Sequence, residues 1–436
     1  MENKREIKKQ FATFVSRNIL GMIGMSCYYV VDTFFVGQSQ GADGLAALNI
    51  VSPPYYLIYA VGAMVANGSA ILYKIRKSQN DADTKGYFTD AIWFAVLFSM
   101  PFVLAGIFCP DTLIEWMGGD TKMIEMGTSY MRIILLFAPL FIVNYVVSTY
   151  IRNDNDPMLA MRATLASSVF NIIADYILMF PLNLGMTGAA LASGFAPIVG
   201  VSICSRHFFG ENNTIHVKWK LPDLRQLKKV LGIGWAAFAT ETSTAVVVLV
   251  YNYLIVATSG NLGLAAYGVI SNIAIFVKSV FKGISEGSQP LISEFYGKRK
   301  YKELAYLFKI ERLTAVGLAV LIYAILFTFA DPIALAFNKE GAQALQALTI
   351  TGIRLYFISY IFGSFNTVST GYLSATAHAK WASVISVIRG FIANVACAVV
   401  LSMLFGMNGI WLALTATELV TILFVFAGLN KSRIKC

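Results

Sequence analysis

Apolar residues in this chain come in long unbroken runs, separated by short polar stretches, with no strict alternation. Twelve runs lie near 11–37, 45–73, 88–109, 123–150, 158–181, 185–209, 227–258, 262–295, 303–330, 345–374, 380–404 and 407–430. A helix that crosses the hydrocarbon core of a bilayer needs about 20 apolar residues, whereas a spanning β-strand is about ten residues long and alternates in polarity. The pattern predicts an all-α membrane protein of twelve transmembrane helices.

The stretches between runs sort into two alternating sets. One carries Lys4/Arg5/Lys8/Lys9, Lys74/Arg76/Lys77/Lys85, Arg152, Arg206 through Lys229, Lys298/Arg299/Lys300/Lys302, Lys380 and Lys431/Arg433/Lys435. The other, at 38–44, 110–122, 182–187, 259–262, 331–344 and 405–409, holds only Lys122 and Lys339 as basic residues. This is the positive-inside pattern, and it places both termini in the cytoplasm. The basic start leads directly into the first run with no clear cleavage site, so that run reads as a membrane helix and not as a signal peptide. The longest basic stretch, 210–226 with Pro222, reads as a cytoplasmic linker between a lobe at 1–209 and a lobe at 227–436.

Composition agrees. The 436 residues are 57% hydrophobic and 13% charged, with mean hydropathy +0.65, against roughly 25% charged in soluble domains. The net charge of +10 is explained by one set of stretches, so no nucleic-acid partner is implied. The five cysteines form no CxxC, and there is no His/Cys cluster for a transition metal and no GxxxxGK[ST] motif for ATP. No cofactor beyond a coupling ion is expected. The dispersed polar residues point away from an intramembrane enzyme.

The two lobes repeat. Gly44-Leu45-Ala46-Ala47 recurs as Gly263-Leu264-Ala265-Ala266, Gly68-Ser69 as Gly287-Ser288, and Arg132 as Arg354. Val147-Ser148-Thr149 recurs as Val368-Ser369-Thr370, and Gly185-Met186-x-Gly188 as Gly406-Met407-x-Gly409. Five matches in one order, at nearly one offset, predict two homologous bundles of six helices related by an axis along the membrane normal, a habit of secondary transporters.

Several stretches are similar to the multidrug and toxic compound extrusion (MATE) family of cation-coupled antiporters. They are Val31-Asp32-Thr33-Phe34-Phe35-Val36-Gly37 with Gly44-Leu45-Ala46-Ala47, and Tyr130-x-Arg132 with Pro139, Arg152 and Pro157. Further matches are Asn171-x-x-x-Asp175 with Gly185-x-x-Gly188-Ala189-Ala190, and Gly283-x-x-x-Gly287-Ser288-Gln289-Pro290-Leu291-Ile292 with Gly297. The resemblance covers about residues 10–430. It implies a V-shaped pair of bundles with a central cavity, exporting lipophilic or cationic compounds by alternating access in exchange for H⁺ or Na⁺. A lipid-linked oligosaccharide flippase or another solute exporter of the same superfamily is the alternative. The expected setting is the cytoplasmic membrane of a prokaryote, with the bilayer and small lipophilic or cationic molecules as partners and the chain as a monomer.

Charged groups at membrane depth are functional candidates. Asp32 lies in the first run and Asp175 in the fifth; Asn171, four residues before Asp175, shares its helical face. Two carboxylates and an amide oxygen suit either a hard cation or a proton carrier. The resemblance implies the same: in some family members acids at these two positions, with the neighbouring Asn, form the cation site of the first lobe, and Ser193 adds a hydroxyl. By the repeat, Asp32 maps to Tyr251 and Asp175 to Ala398, so the second lobe has lost both carboxylates. Secondary candidates are Glu241, on a helix where another branch of the family uses a glutamate, and Glu286, one turn from Lys282. Glu418 sits in the last run with no motif. Arg132 and Arg354 read as structural, and His207, His216 and His378 as linker residues. Tyr28, Tyr29, Tyr145, Tyr251 and Phe365 are candidates to line a substrate cavity, where a ring face attracts a cation.

Overall fold

The computed structural model describes residues 4–79, 84, 86–117, 119, 121–211, 213–218, 222–337 and 343–432. Lys85, Lys339, Arg433, Lys435 and Cys436, used above to read charge or cysteine placement, lie outside the described residues. Every apolar run is helical, and no strand occurs among the described residues.

Among the described residues, ten helices are long and apolar enough to cross a membrane: α1 (Lys4–Gly41), α2 (Ala47–Ser78), α3 (Tyr87–Phe108), α5 (Pro157–Met179), α6 (Gly185–Phe209), α7 (Leu224–Gly260), α8 (Leu262–Gly297), α9 (Tyr301–Thr328), α10 (Gln343–Ala375) and the stretch Ala379–Lys431. The pair Thr121–Leu136 and Ala138–Asn153, bent by 46°, makes the further span α4. Pro139 opens the second piece, where its missing N–H costs nothing because the first turn has no intrahelical acceptor to meet. The last stretch has 53 residues, about 80 Å of helix and more than twice the hydrocarbon thickness. It breaks at Gly406 into α11 and α12, which brings the spans to twelve.

The breaks explain the sequence repeat. Gly41 and Gly260 both take positive φ (65° and 59°), as do Gly185 and Gly406 (51° and 55°), a conformation costly for any residue with a Cβ. Each pair is related by the repeat. A Cβ on Gly188 would lie 3.0 Å from the Leu178 carbonyl carbon, and one on Gly409 only 1.8 Å from the Leu401 oxygen. The Gly-Met-x-Gly motif is therefore the tight turn that joins α5 to α6 and, again, α11 to α12.

The chain packs as two compact units, one Leu20–Glu241 and the other Met1–Ile19 with Thr242–Cys436. Each is closed by glycine-backed contacts. In the first, Gly68 of α2 faces the Val230 oxygen and Gly234 faces the Met64 oxygen, with added Cβ atoms at 2.1 and 2.0 Å. In the second, Gly287 and Gly283 of α8 lie against the Val15 and Ile19 backbone of α1 (2.9 and 2.8 Å), and Asn18 Nδ2 donates to the Gly283 oxygen at 3.0 Å. Small residues let helix backbones approach this closely. Gly68 and Gly287 are repeat mates, so each half binds the opening turns of the other half's first helix in the same way.

Residues 213–218, between α6 and α7, are docked against the first unit. Asp154, fully buried, accepts from His207 Nε2 (2.8 Å), Lys77 Nζ (2.6 Å) and the Thr214 N–H (2.8 Å). Thr89 Oγ1 accepts from the Lys218 N–H at 3.0 Å, and Ile215 is buried. Burial pushes the Asp154 carboxyl up, but the bonds from His207, Lys77 and Thr214 outweigh it and hold it below the usual carboxylate range. A group lowered on folding stabilises fully above its unfolded pKa and loses that contribution only as pH falls through the folded value. Hydrogen exchange at the Thr214 amide is therefore expected to show no opening from this group between pH 8 and about pH 4. In Asp154→Asn exchange at neutral pH rises about tenfold, the size of one charge-assisted hydrogen bond. Unchanged exchange in the mutant would mean that Asp154 does not hold the segment.

Candidate cation site in the first unit

The site is built where α1 lies along α5. Gly21 and Gly24 let α1 approach Met161, Thr164 and Leu165 closely, an added Cβ on Gly24 falling 2.5 Å from Leu165 Cδ2. Further along, Phe35 meets Tyr176 and Phe180 with ring centroids at 6.2 and 5.7 Å. The contacts advance together along both helices, so the register between them carries Asp32 to the level of Asp175. The two carboxylates lie within electrostatic reach of each other.

Both are buried: Asp32 is 6% exposed, Asp175 and Asn171 are 0%. Asp32 Oδ1 and Asp175 Oδ1 have no hydrogen-bond partner among the described residues. Asn171 satisfies both ends of its amide when its nitrogen donates to Asp175 Oδ2 (3.1 Å) and its oxygen accepts from the Ser193 N–H (3.3 Å). Ser193, on α6, is 6% exposed. Asn171, Asp175 and Ser193 thus form one buried hydrogen-bonded group, with Asp32 in electrostatic reach of Asp175. Two carboxylates with no basic side chain in hydrogen-bond contact among the described residues are costly to keep ionised there, which is the setting in which a proton or a small cation is taken up.

An aromatic cluster adjoins it. Tyr28 and Tyr55 share a hydroxyl contact of 3.1 Å, Tyr29 and Tyr56 one of 2.6 Å, and Tyr55 donates to Tyr59 at 3.4 Å. Tyr59 packs edge-on against Tyr145 at 6.3 Å. Tyr28, Tyr29 and Tyr145 therefore belong to one group, as does α2's trio Tyr55, Tyr56 and Tyr59, which nothing in the sequence distinguished among its 21 tyrosines. Tyr130 of α4, buried, is in electrostatic reach of Asp32, Tyr29 and Asp175.

Glu241 is the last residue of the first unit and half-buried. Glu286, in the second unit, lies 4.0 Å from Lys282 one turn away. Tyr251 is 1% exposed and stacks on Tyr267 at 5.9 Å inside the core of that unit. Phe365, half-buried, packs against Phe426 at 5.7 Å and under the Arg312 guanidinium at 6.0 Å. Arg354 is exposed and lies over Phe327 at 5.0 Å. Glu418 forms a two-pronged ion pair with Arg389, Nη2 to Oε1 at 2.7 Å and Nε at 2.9 Å from both oxygens.

The chain matches the MatE family model over residues 18–177 and 237–400. It is 23% identical over 416 residues to the multidrug export protein MepA of Staphylococcus saprophyticus, spanning 94% of this chain and 89% of that protein. Its fold superposes on the outward-facing structure of a multidrug resistance MATE family transporter of the MOP superfamily with a TM-score of 0.91 at 19% identity, covering 98% and 96% of the two chains. A MOP superfamily transporter from Pyrococcus furiosus gives 0.90 at 19% identity, covering 99% and 98%. With the family model matched in each half, across the spans that carry the repeat, the chain belongs to the MatE family of membrane transporters.

Proposed function

We propose that this chain is a secondary active antiporter that exports lipophilic or cationic compounds in exchange for H⁺ or Na⁺ by alternating access. The observation that carries the reading is the buried carboxylate pair Asp32 and Asp175, each with an unpartnered oxygen. An ion or proton taken up there changes the charge of a buried site, and a ligand shifts a conformational equilibrium only through such a difference between states. Asn171 and Ser193 supply the remaining polar groups. The tyrosine cluster beside the acids is suited to an aromatic or cationic molecule. The multidrug export protein MepA of Staphylococcus, similar over nearly the whole chain, supports drugs as the substrate class. The placement of basic residues supports both termini on the cytoplasmic side of a bacterial membrane; the monomer is taken as the working unit.

The test is ethidium efflux from energised vesicles under an imposed Na⁺ gradient and, separately, an imposed pH gradient. Efflux driven by one gradient and not by the other supports antiport and identifies the ion. No efflux under either gradient would overturn ethidium-type drug antiport by this chain.

A further inference from the structure

The second unit contains a buried carboxylate that the proposed mechanism does not use. Glu311 lies on α9, ten residues in from Tyr301 and so about 15 Å along the helix, and is 0% exposed. Its Oε1 accepts from Ser288 Oγ of α8 at 2.5 Å, while Oε2 has no hydrogen-bond partner among the described residues. Ser288 belongs to the Gly283–Ile292 stretch that carries part of the family resemblance.

Arg312, next in sequence, is within electrostatic reach of Glu311, but no hydrogen bond or ion pair from a basic side chain to Glu311 is seen among the described residues. The neighbouring Arg312 turns its guanidinium over Phe308 at 4.4 Å and Phe365 at 6.0 Å. On α8, Lys282 is drawn to Glu286 (4.0 Å), and just past its end Lys298 to Glu294 (2.5 Å); Lys278 is the other charge on the helix. At the start of α1, Lys4 lies over Tyr306, and α9 itself adds Lys309. From α10, which packs along α9, the titratable and charged groups are Arg354, over Phe327 at 5.0 Å, and Tyr356, Tyr360 and Tyr372, the last stacked on Phe308 at 4.0 Å. On the same helix the Ser369 hydroxyl is also buried, with no hydrogen-bond partner among the described residues.

We infer that Glu311 is an exchangeable proton-binding site of the second unit, separate from the carboxylate pair of the first. A carboxylate buried with one hydroxyl donor costs several kcal/mol to keep ionised, and a proton on Oε2 removes that cost. A metal cation fits less well. It needs several oxygen ligands, and among the described residues no group of three or more His, Cys, Asp or Glu gathers anywhere. The repeat gives Tyr251 and Ala398 where the first lobe has its acids, so Glu311 supplies that half with a titrating group at a new position. Its use in ion exchange rests on the antiport reading.

The test is infrared difference spectroscopy of the purified full-length protein in detergent, in H₂O and D₂O, across neutral to alkaline pH. The wild type is expected to show a carboxylic-acid C=O band that shifts in D₂O and disappears at high pH. Glu311→Gln, a neutral isostere that keeps the fold, loses that band, and Ser288→Ala moves it without removing it. Coincident wild-type and Glu311→Gln spectra would overturn the proposal, as would a band that neither D₂O nor alkali alters. This readout needs no transport, so a wild type that fails to move ethidium sinks the antiport reading while the proton site is judged on its own band.

Discussion

Asp175→Asn is expected to abolish gradient-driven ethidium efflux, and Asp32→Asn to reduce it at least tenfold, with both proteins inserted at wild-type levels. Asparagine fills the same volume and keeps hydrogen-bonding capacity, but it can neither release a proton nor balance a cation's charge. A site frozen as neutral no longer favours one conformation when the ion arrives, and the coupling free energy, typically 1–3 kcal/mol or about 5–150-fold, is lost. Asp175 is the more sensitive because it is fully buried and bonded to Asn171, whose other end is fixed by Ser193. Ser193→Ala keeps the backbone N–H that Asn171 uses and is expected to cost only a few-fold. Transport assays under both gradients, with expression checked in the membrane fraction, decide the matter. Wild-type efflux in both acid mutants would remove this site and direct attention to Glu241 and Glu311.

The fold was largely legible because its determinants are local. A run of apolar residues must be helical in a bilayer, where each backbone polar group needs a partner. The repeat was legible because a left-handed turn or a backbone contact tolerates little but glycine: Gly185 and Gly406, Gly68 and Gly287, are fixed by sterics that recur in both halves. Half of the site was legible for the same kind of reason, since Asn171 and Asp175 are one helical turn apart. That Asp32 joins them depends on the register of α1 against α5, set by Gly21, Gly24 and Phe35, and only the family resemblance pointed to it in advance. Tyr55, Tyr56 and Tyr59 escaped notice because an abundance of tyrosine carries no signal about which of them meet. Glu311 was hidden differently. It stands between Lys309 and Arg312 inside the 303–330 run, and nothing in that order of charges says which of them turns inward; the structure buries Glu311 and sets Arg312 over aromatic rings.

The same limit applies to Glu418, and it leads to the largest stability effect expected. Its partner Arg389 is 29 residues away, on the single turn of π-helix Ile388–Ile392; such an insertion changes the direction in which a side chain leaves the helix. Glu418 is 3% exposed and also accepts from Asn366 Nδ2 at 2.8 Å. Gly363 leaves the room for the pair: a Cβ there would lie 3.0 Å from Glu418 Oε1. Removing Arg389 leaves Glu418 buried without its cation, and the loss of such a partner costs about 3–5 kcal/mol. Arg389→Ala is expected to be destabilised by that order in unfolding of the purified protein, and Glu418→Ala by less, because the Arg389 side chain is 24% exposed and can turn to water. The paired change Glu418→Leu with Arg389→Met is expected to recover most of the loss, because apolar groups of similar volume need no compensation. Additive losses in that double mutant would show that the two side chains stabilise the unit independently. Recovery of stability with wild-type ethidium efflux would assign the pair to architecture alone, and recovery of stability without efflux would make Glu418 part of the transport cycle.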